Sequence, residues 1–230
     1  AGAERGRDAD AGGGTAMSQP YHSITNLYKR DKTGKHLTSE FAHPAYEYLM
    51  DCEWVFTEKI DGTNIRVIWD GENMEIRGRT DNASRHPLLE RAIESVFDAG
   101  ALAVKFGNTP ATLYGEGYGT KVQNGGKYRA DQGFILFDCL IGGYWLEREN
   151  LEDISASLGC EIVPIVHRGT LSDGVRIVKA DLFSEVAHEM SGAIVEAEGL
   201  VGKPAVTLFD RQGNRIMVKV KGRDYREPQS

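Results

Sequence analysis

The sequence predicts an α+β domain, and three observations carry that prediction. Short apolar runs with two-residue alternation recur from Trp54 to Lys221, separated by turn dipeptides such as Asp61-Gly62 and Asp70-Gly71. That is the pattern of antiparallel strands joined by hairpins. Two segments, 87–106 and 181–191, instead carry apolar residues at helical spacing, so helices are expected to flank the sheets. The chain has 230 residues, 40% of them apolar, enough to bury one sizeable core.

Residues 54–60 read as a strand running into Asp61-Gly62, and 65–69 with 74–79 read as a hairpin around Asp70-Gly71. A helix over 87–106 opens at Pro87, with Leu88, Leu89, Ala92, Ile93, Val96 and Phe97 on its apolar face. Strands are expected at 111–117, 133–139 and 143–146, then a short helix over 151–158 stopped by Gly159, then a strand over 161–167. The helix over 181–191 should turn Leu182, Phe183, Val186, Ala187 and Met190 inward. The end reads as strand at 193–196, 199–201, 205–209 and 215–221, with a turn at 211–214. No internal repeat is visible. Residues 1–16 hold no large apolar side chain and read as a flexible tail, an expression remnant ahead of a natural start at Met17. Residues 17–230 then form a single domain.

Several classes are set aside. No run of about 18 apolar residues occurs, so no membrane span is expected. The first twenty residues contain no apolar core of a signal peptide. Cys52, Cys139 and Cys160 form no CxxC pair, which argues against a disulfide framework or a zinc site and for the cytoplasm. A net charge of −7 argues against indiscriminate binding of polyanions. Residues 211–226 nevertheless hold six Lys or Arg against the single acid Asp224. Such a run suits a specific nucleic-acid site and suits a solvated strand face equally well.

Lys59 ends a strand one residue before a sharp turn, in Glu58-Lys59-Ile60-Asp61-Gly62-Thr63-Asn64. Alone, this is an exposed hairpin lysine. As a nucleophile it must lose its proton, and partial burial beside other cations favours that. Lys219 and Lys221, two apart in Met217-Val218-Lys219-Val220-Lys221, share one strand face and can supply those cations around a phosphate. Glu116 lies between Gly115 and Gly117, where backbone can approach a ligand and a carboxylate can accept ribose hydroxyls. In Phe134-Ile135-Leu136-Phe137-Asp138-Cys139, alternation puts Phe134, Leu136 and Asp138 on one face and Ile135, Phe137 and Cys139 on the other. One aromatic can stack on a purine while the other face is core. Glu198 enters an apolar strand in Glu198-Gly199-Leu200-Val201-Gly202-Lys203-Pro204 and can hold Mg²⁺ against a phosphate. Arg77 and Arg79, two apart on one strand, are further candidates for phosphate contact.

In that order, EKIDGTN, YGEGYG, FILFDC, EGLVGKP and MVKVKGRDY resemble the covalent nucleotidyltransferase superfamily of nucleic-acid ligases and RNA capping enzymes, over about Trp54–Tyr225. Asn64 and the segment Arg77-Gly78-Arg79-Thr80 are most similar to the phage-type and RNA-editing RNA ligases. DNA ligases and GTP-using capping enzymes, the alternative within the superfamily, usually carry Arg where Asn64 stands. The resemblance implies an antiparallel, ATP-grasp-like ligase adenylation domain with flanking helices. It implies that Lys59 takes AMP from ATP and passes it to a 5′-phosphate of an RNA end or nicked RNA duplex, which is then sealed to a 3′-hydroxyl. Glu116 would bind ribose and Phe134 would stack on adenine. Glu198 would serve Mg²⁺, Lys219 and Lys221 would contact the α-phosphate, and Arg79 would touch RNA. Glu58 and Ile60 would line the adenine pocket and Asn64 would face the nucleotide. Only nine residues follow Lys221, whereas related ligases often continue into a C-terminal domain. Either this protein is minimal, or the chain stops early, or a partner protein supplies that surface. The rival of another class is a non-catalytic module that binds RNA ends or nucleotides.

Overall fold

The computed structural model describes residues 19–81 and 85–225, so the expected tail over 1–16 lies outside the described residues. In chain order the strands and helices are β1 (Thr25–Asn26), β2 (Tyr28–Arg30), β3 (Leu37–Phe41), α1 (Pro44–Tyr48), β4 (Trp54–Lys59), β5 (Thr63–Trp69) and β6 (Met74–Gly78). Then come α2 (Pro87–Val96), α3 (Ala99–Phe106), β7 (Ala111–Gly119), β8 (Gln132–Ile141), β9 (Tyr144–Trp145), α4 (Arg148–Leu158), β10 (Glu161–Ile162) and β11 (Ile165–Gly169). The chain continues through α5 (Leu171–Lys179), α6 (Glu185–Ser191), β12 (Gly199–Pro204) and β13 (Val218–Lys221).

Two sheets organise the molecule. The first runs β1-β13-β12-β4-β11 and the second β10-β8-β7-β5-β6, with β9 beside β8; β2 and β3 pair separately. The expected α+β class with antiparallel sheets is what is found; β1–β13 and β10–β8 are parallel pairs at the margins. One face of the second sheet, including Ile65, Val67, Leu113, Phe134 and Leu136, packs under α2, α3 and α4. The first sheet buries Trp54, Phe56, Leu200, Val218 and Val220 with Tyr46 of α1 and Leu171 and Val178 of α5. The remaining faces of the two sheets enclose a cleft.

The departures from expectation have local causes. The helix over 87–106 is two helices, because Asp98 leaves helical geometry and caps α3 by accepting from the Ala101 N–H. Pro164 lies between β10 and β11, which splits the strand expected over 161–167. Ser184 caps α6, so that helix starts four residues later than its apolar pattern suggested, and Phe183 and Met190 are exposed rather than inward. Over 205–209 and 215–217 a single bridge, Phe209 to Arg215, replaces the expected ladder. Helix α5 was not expected, although Thr170 and Asp173 form a capping box at its start. No helix among the described residues is long and apolar enough to cross a membrane.

A bulge in β8 decides which of its side chains reach the cleft. Tyr114 faces Asp138 while Gly115 faces Leu136, so Phe137 is an extra residue in β8. Phe134 and Leu136 point into the helix-covered core, Phe137 points the other way, and beyond the bulge Cys139 returns to that core. Asp138 is thereby moved off the face that simple alternation assigns to it and is fully buried beside the cleft.

Candidate active site

The cleft has a volume of about 470 Å³ and is bounded by both sheets and by the segment Tyr21–Ile24. Strand register explains its wall. Lys59, Gly199 and Lys221 lie side by side across β4, β12 and β13, and the next row on that face is Thr57, Val201 and Lys219. Opposite, Asn64, Glu116 and Ile135 form a row across β5, β7 and β8. Gly199 has φ +152°, and a Cβ there would come within 2.1 Å of the Val220 carbonyl oxygen, so no other residue fits between the two lysines. The turn after Lys59 is equally tight: a Cβ on Gly62 would meet the Gly117 carbonyl oxygen at 2.3 Å.

Glu198 is the electrostatic centre. Lys59 Nζ donates to its Oε2 at 2.7 Å and Lys221 Nζ to its Oε1 at 2.6 Å. Burial alone would raise the Glu198 pKa; Lys59 and Lys221 outweigh it and hold the carboxyl below its ordinary value. Lys219 is half-buried in the same wall with no acid at ion-pair distance among the described residues. Burial, then Lys221, Lys59 and Arg79, push its pKa down. Glu116 faces Asn64 with no ion pair among the described residues, and burial pushes its pKa up to about 8 against the opposing pull of Lys59.

Of the residues expected at the site, the structure brings Lys59, Ile60, Asn64, Arg79, Glu116, Lys219 and Lys221 to the cleft wall, with Glu198 joined to two of them. Asn64 Oδ1 is buried without a hydrogen-bond partner among the described residues, and Arg79 donates to Ser23 Oγ. Glu58 also borders the cleft, but its carboxylate accepts from Ser184 Oγ and the Val186 N–H at the start of α6. Any contact from Glu58 to a ligand is therefore left to its main chain. Phe134 is a correction. It is 3% exposed, stands edge-on to Phe97 at 5.2 Å between ring centres, and is not part of the cleft. Its strand neighbour across β7 is Gly117, in the row that faces the helices, and the aromatic of β8 that reaches the cleft is Phe137.

Sequence reasoning missed Tyr21, His22, Asp138, Lys203 and Arg215. Tyr21 Oη, Lys203 Nζ and Arg215 Nη2 all donate to Asp138 Oδ2, at 2.6, 2.9 and 2.7 Å. Burial would raise the Asp138 pKa, but Lys203 and Arg215 bring it down to about 2. His22 packs on Tyr21 and is held at about 4 by burial and then by Arg215, hence neutral near pH 7. Lys203 was legible, since it continues the two-residue period of Gly199 and Val201. Tyr21 and His22 were not, because 117 residues separate Tyr21 from Asp138.

The donor set suits a nucleotide better than a bare metal. Among the described residues no group of three or more His, Cys, Asp or Glu could hold a metal ion. One strong carboxylate beside several cations fits Mg²⁺ carried in on phosphates, since Mg²⁺ typically takes one or two carboxylates together with substrate oxygens. The cleft volume and the Phe137 ring fit a nucleoside.

The sequence matches the RNA ligase family over residues 52–221. The fold is similar to that of Naegleria gruberi RNA ligase. A point mutant of that protein in its apo form gives a TM-score of 0.60 at 19% identity, covering 90% of this chain and 56% of that one. Another point mutant, with AMP and Mn, gives 0.60 at 19%, covering 90% and 60%. The form with PPi gives 0.59 at 19%, covering 90% and 60%. The chain thus spans less than two thirds of the length of each of these proteins.

Proposed function

The chain belongs to the RNA ligase family, and from that premise we propose that it is an ATP-dependent RNA ligase whose Lys59 carries AMP. The observation that supports this most is the gathering of Lys59 and Lys221 on Glu198 beside Lys219, a cation without an acid partner among the described residues. Such a wall lacks negative charge that an α-phosphate would supply.

In this reading Phe137, in place of Phe134, stacks on adenine, Glu116 accepts a ribose hydroxyl, and Ile60 and the Glu58 main chain line the base. Asn64, whose oxygen has no partner among the described residues, faces the nucleotide. For Lys59 to attack, its hydrogen bond to Glu198 opens and its proton leaves. The amine then forms a P–N bond at the α-phosphorus and pyrophosphate departs, while Lys219 and Lys221 stabilise the charge developing on the phosphate oxygens. A Mg²⁺ held by Glu198 and the nucleotide phosphates would add Lewis-acid charge neutralisation there. A 5′-phosphate oxygen of RNA, guided by Arg79, next attacks the AMP phosphorus; the P–N bond breaks and Lys59 regains its proton. The 3′-hydroxyl attacks the activated 5′-phosphate and AMP leaves. The positioning of the reacting groups supplies most of the catalysis.

We take residues 17–230 to be one adenylation domain acting on RNA ends in the cytoplasm. The experiment is incubation with ATP labelled at the α-phosphate and Mg²⁺, then denaturation. Label is expected on the wild-type polypeptide and none on Lys59→Ala. Label surviving in that variant would refute Lys59 as the nucleophile. Label from GTP but not ATP would favour a capping-type enzyme.

A further inference from the structure

The loop between β7 and β8 has a shape that ordinary turn chemistry does not explain. Lys121 and Gln123 have φ of +67° and +48°, the left-handed region that residues other than glycine rarely take, and they are the only such non-glycine residues among those described. Between them Val122 is buried. Gly125 sits against Gly119 so closely that a Cβ on it would meet the Gly119 nitrogen at 2.4 Å. Backbone bonds from Val122 to Gly119, Gly125 to Val122 and Tyr128 to Gly125 close the loop on itself. Unusual backbone held this firmly tends to serve a site.

What the loop holds is the neighbourhood of Lys59 and Glu198. Asn124 Nδ2 donates to Asp61 Oδ2 at 2.8 Å, and the Asp61 N–H donates to Tyr128 Oη at 3.2 Å. Asp61 is therefore gripped at both its carboxylate and its backbone, two residues beyond Lys59. Lys127 Nζ donates to the Glu196 carbonyl at 3.0 Å, two residues before Glu198. One loop thus fixes both partners of the Lys59–Glu198 hydrogen bond from equal distances along the chain. The Asn124 side chain is exposed, where a hydrogen bond adds little to folding stability because water competes for both groups.

We propose that Asn124 is a positioning residue for nucleotidyl transfer, acting through Asp61 on the turn that carries Lys59. The inference rests on the adenylation reading of the cleft. Losing the amide frees the Asp61 carboxylate and loosens the turn, and small displacements of a nucleophile carry large rate penalties.

The test is single-turnover formation of the lysyl adenylate over a range of ATP concentrations, with melting temperature measured on the same samples. Asn124→Ala is expected to lower the maximal rate about tenfold, a fraction of the cost of a full ångström of misplacement. The half-saturating ATP concentration and the melting temperature should stay put. Asn124→Asp should be slower still, because it sets a second carboxylate against Asp61. Wild-type maximal rates in both variants would overturn the inference, as would losses that merely follow a lowered melting temperature or weaker ATP saturation. Absence of label on the wild type would overturn the adenylation reading and this inference together; a labelled wild type with unaffected Asn124 variants would overturn this inference alone.

Discussion

Two carboxylates in this molecule each lie between two basic side chains, yet they make opposite kinds of structure. Glu198 gives one oxygen to Lys59 and the other to Lys221, with side chains 16%, 22% and 15% exposed. Asp138 is wholly buried and takes Lys203, Arg215 and Tyr21 on a single oxygen, leaving Oδ1 without a partner among the described residues. The Arg215 guanidinium is further fixed over the Trp145 ring at 3.6 Å. Lysines on flexible stems at the edge of water can exchange one partner for another; a planar arginine stacked on indole cannot do so without unpacking the core. The difference separates a pair that can open during chemistry from one that holds the cleft's far wall to the N-terminal segment.

The largest consequence should come from the buried centre. Asp138→Asn strands Arg215 and Lys203 without a counter-charge, and we expect a loss of about 3–5 kcal/mol in denaturant unfolding, as for breaking other buried ion pairs. Because the Asp138 pKa is near 2 in the folded state, below the usual carboxylate value, its stabilisation is present above about pH 4. That contribution fades as pH falls toward 2, so the variant should lose less on acidification than the wild type. A loss under about 1 kcal/mol would show that the two centres are energetically alike.

Glu198→Gln should behave in the reverse way. Adenylate formation is expected to fall about 10²-fold, the usual cost of removing one charge-stabilising contact. Folding stability should change by no more than about 1 kcal/mol, since this pair is partly wetted. A large drop in stability with normal labelling would collapse the distinction.

Glu116 sharpens the comparison from the side of a carboxylate that lacks a basic partner. Among the described residues it has no ion pair, so burial wins and its pKa rises to about 8. A group whose folded pKa is raised stabilises the fold fully below its unfolded value and loses that contribution as pH rises through the folded one. Glu116→Gln should therefore gain steadily on the wild type as pH rises from 5 to 9. An unchanged difference across that range would mean that Lys59 offsets the burial of Glu116.

Much of the cleft was legible because its residues obey local rules. Lys219 and Lys221 share a face by period two, and Asp61-Gly62 marks the turn after Lys59. What escaped was set by chain topology or by irregularity. Nothing near Tyr21 in the sequence points to a carboxylate 117 residues away. Helix α5 announced itself through Thr170 and Asp173, a capping box with Asp where Glu or Gln is usual. The aromatic at the cleft was misassigned because FILFDC offers two phenylalanines on opposite faces, and composition does not say which face is covered by helices.

The bulge at Phe137 turns β8 into a message read in two frames. Upstream of it, even-numbered residues belong to the helix-covered core; downstream, odd-numbered ones do. A one-residue deletion before the bulge could be absorbed by losing the bulge itself, restoring regular alternation and keeping every core side chain from Cys139 onward. Phe137 and Asp138 would no longer both reach the cleft side. The strand can therefore tolerate a frameshift as architecture while forfeiting it as a binding wall, so fold and function here are under separate control of a single extra residue.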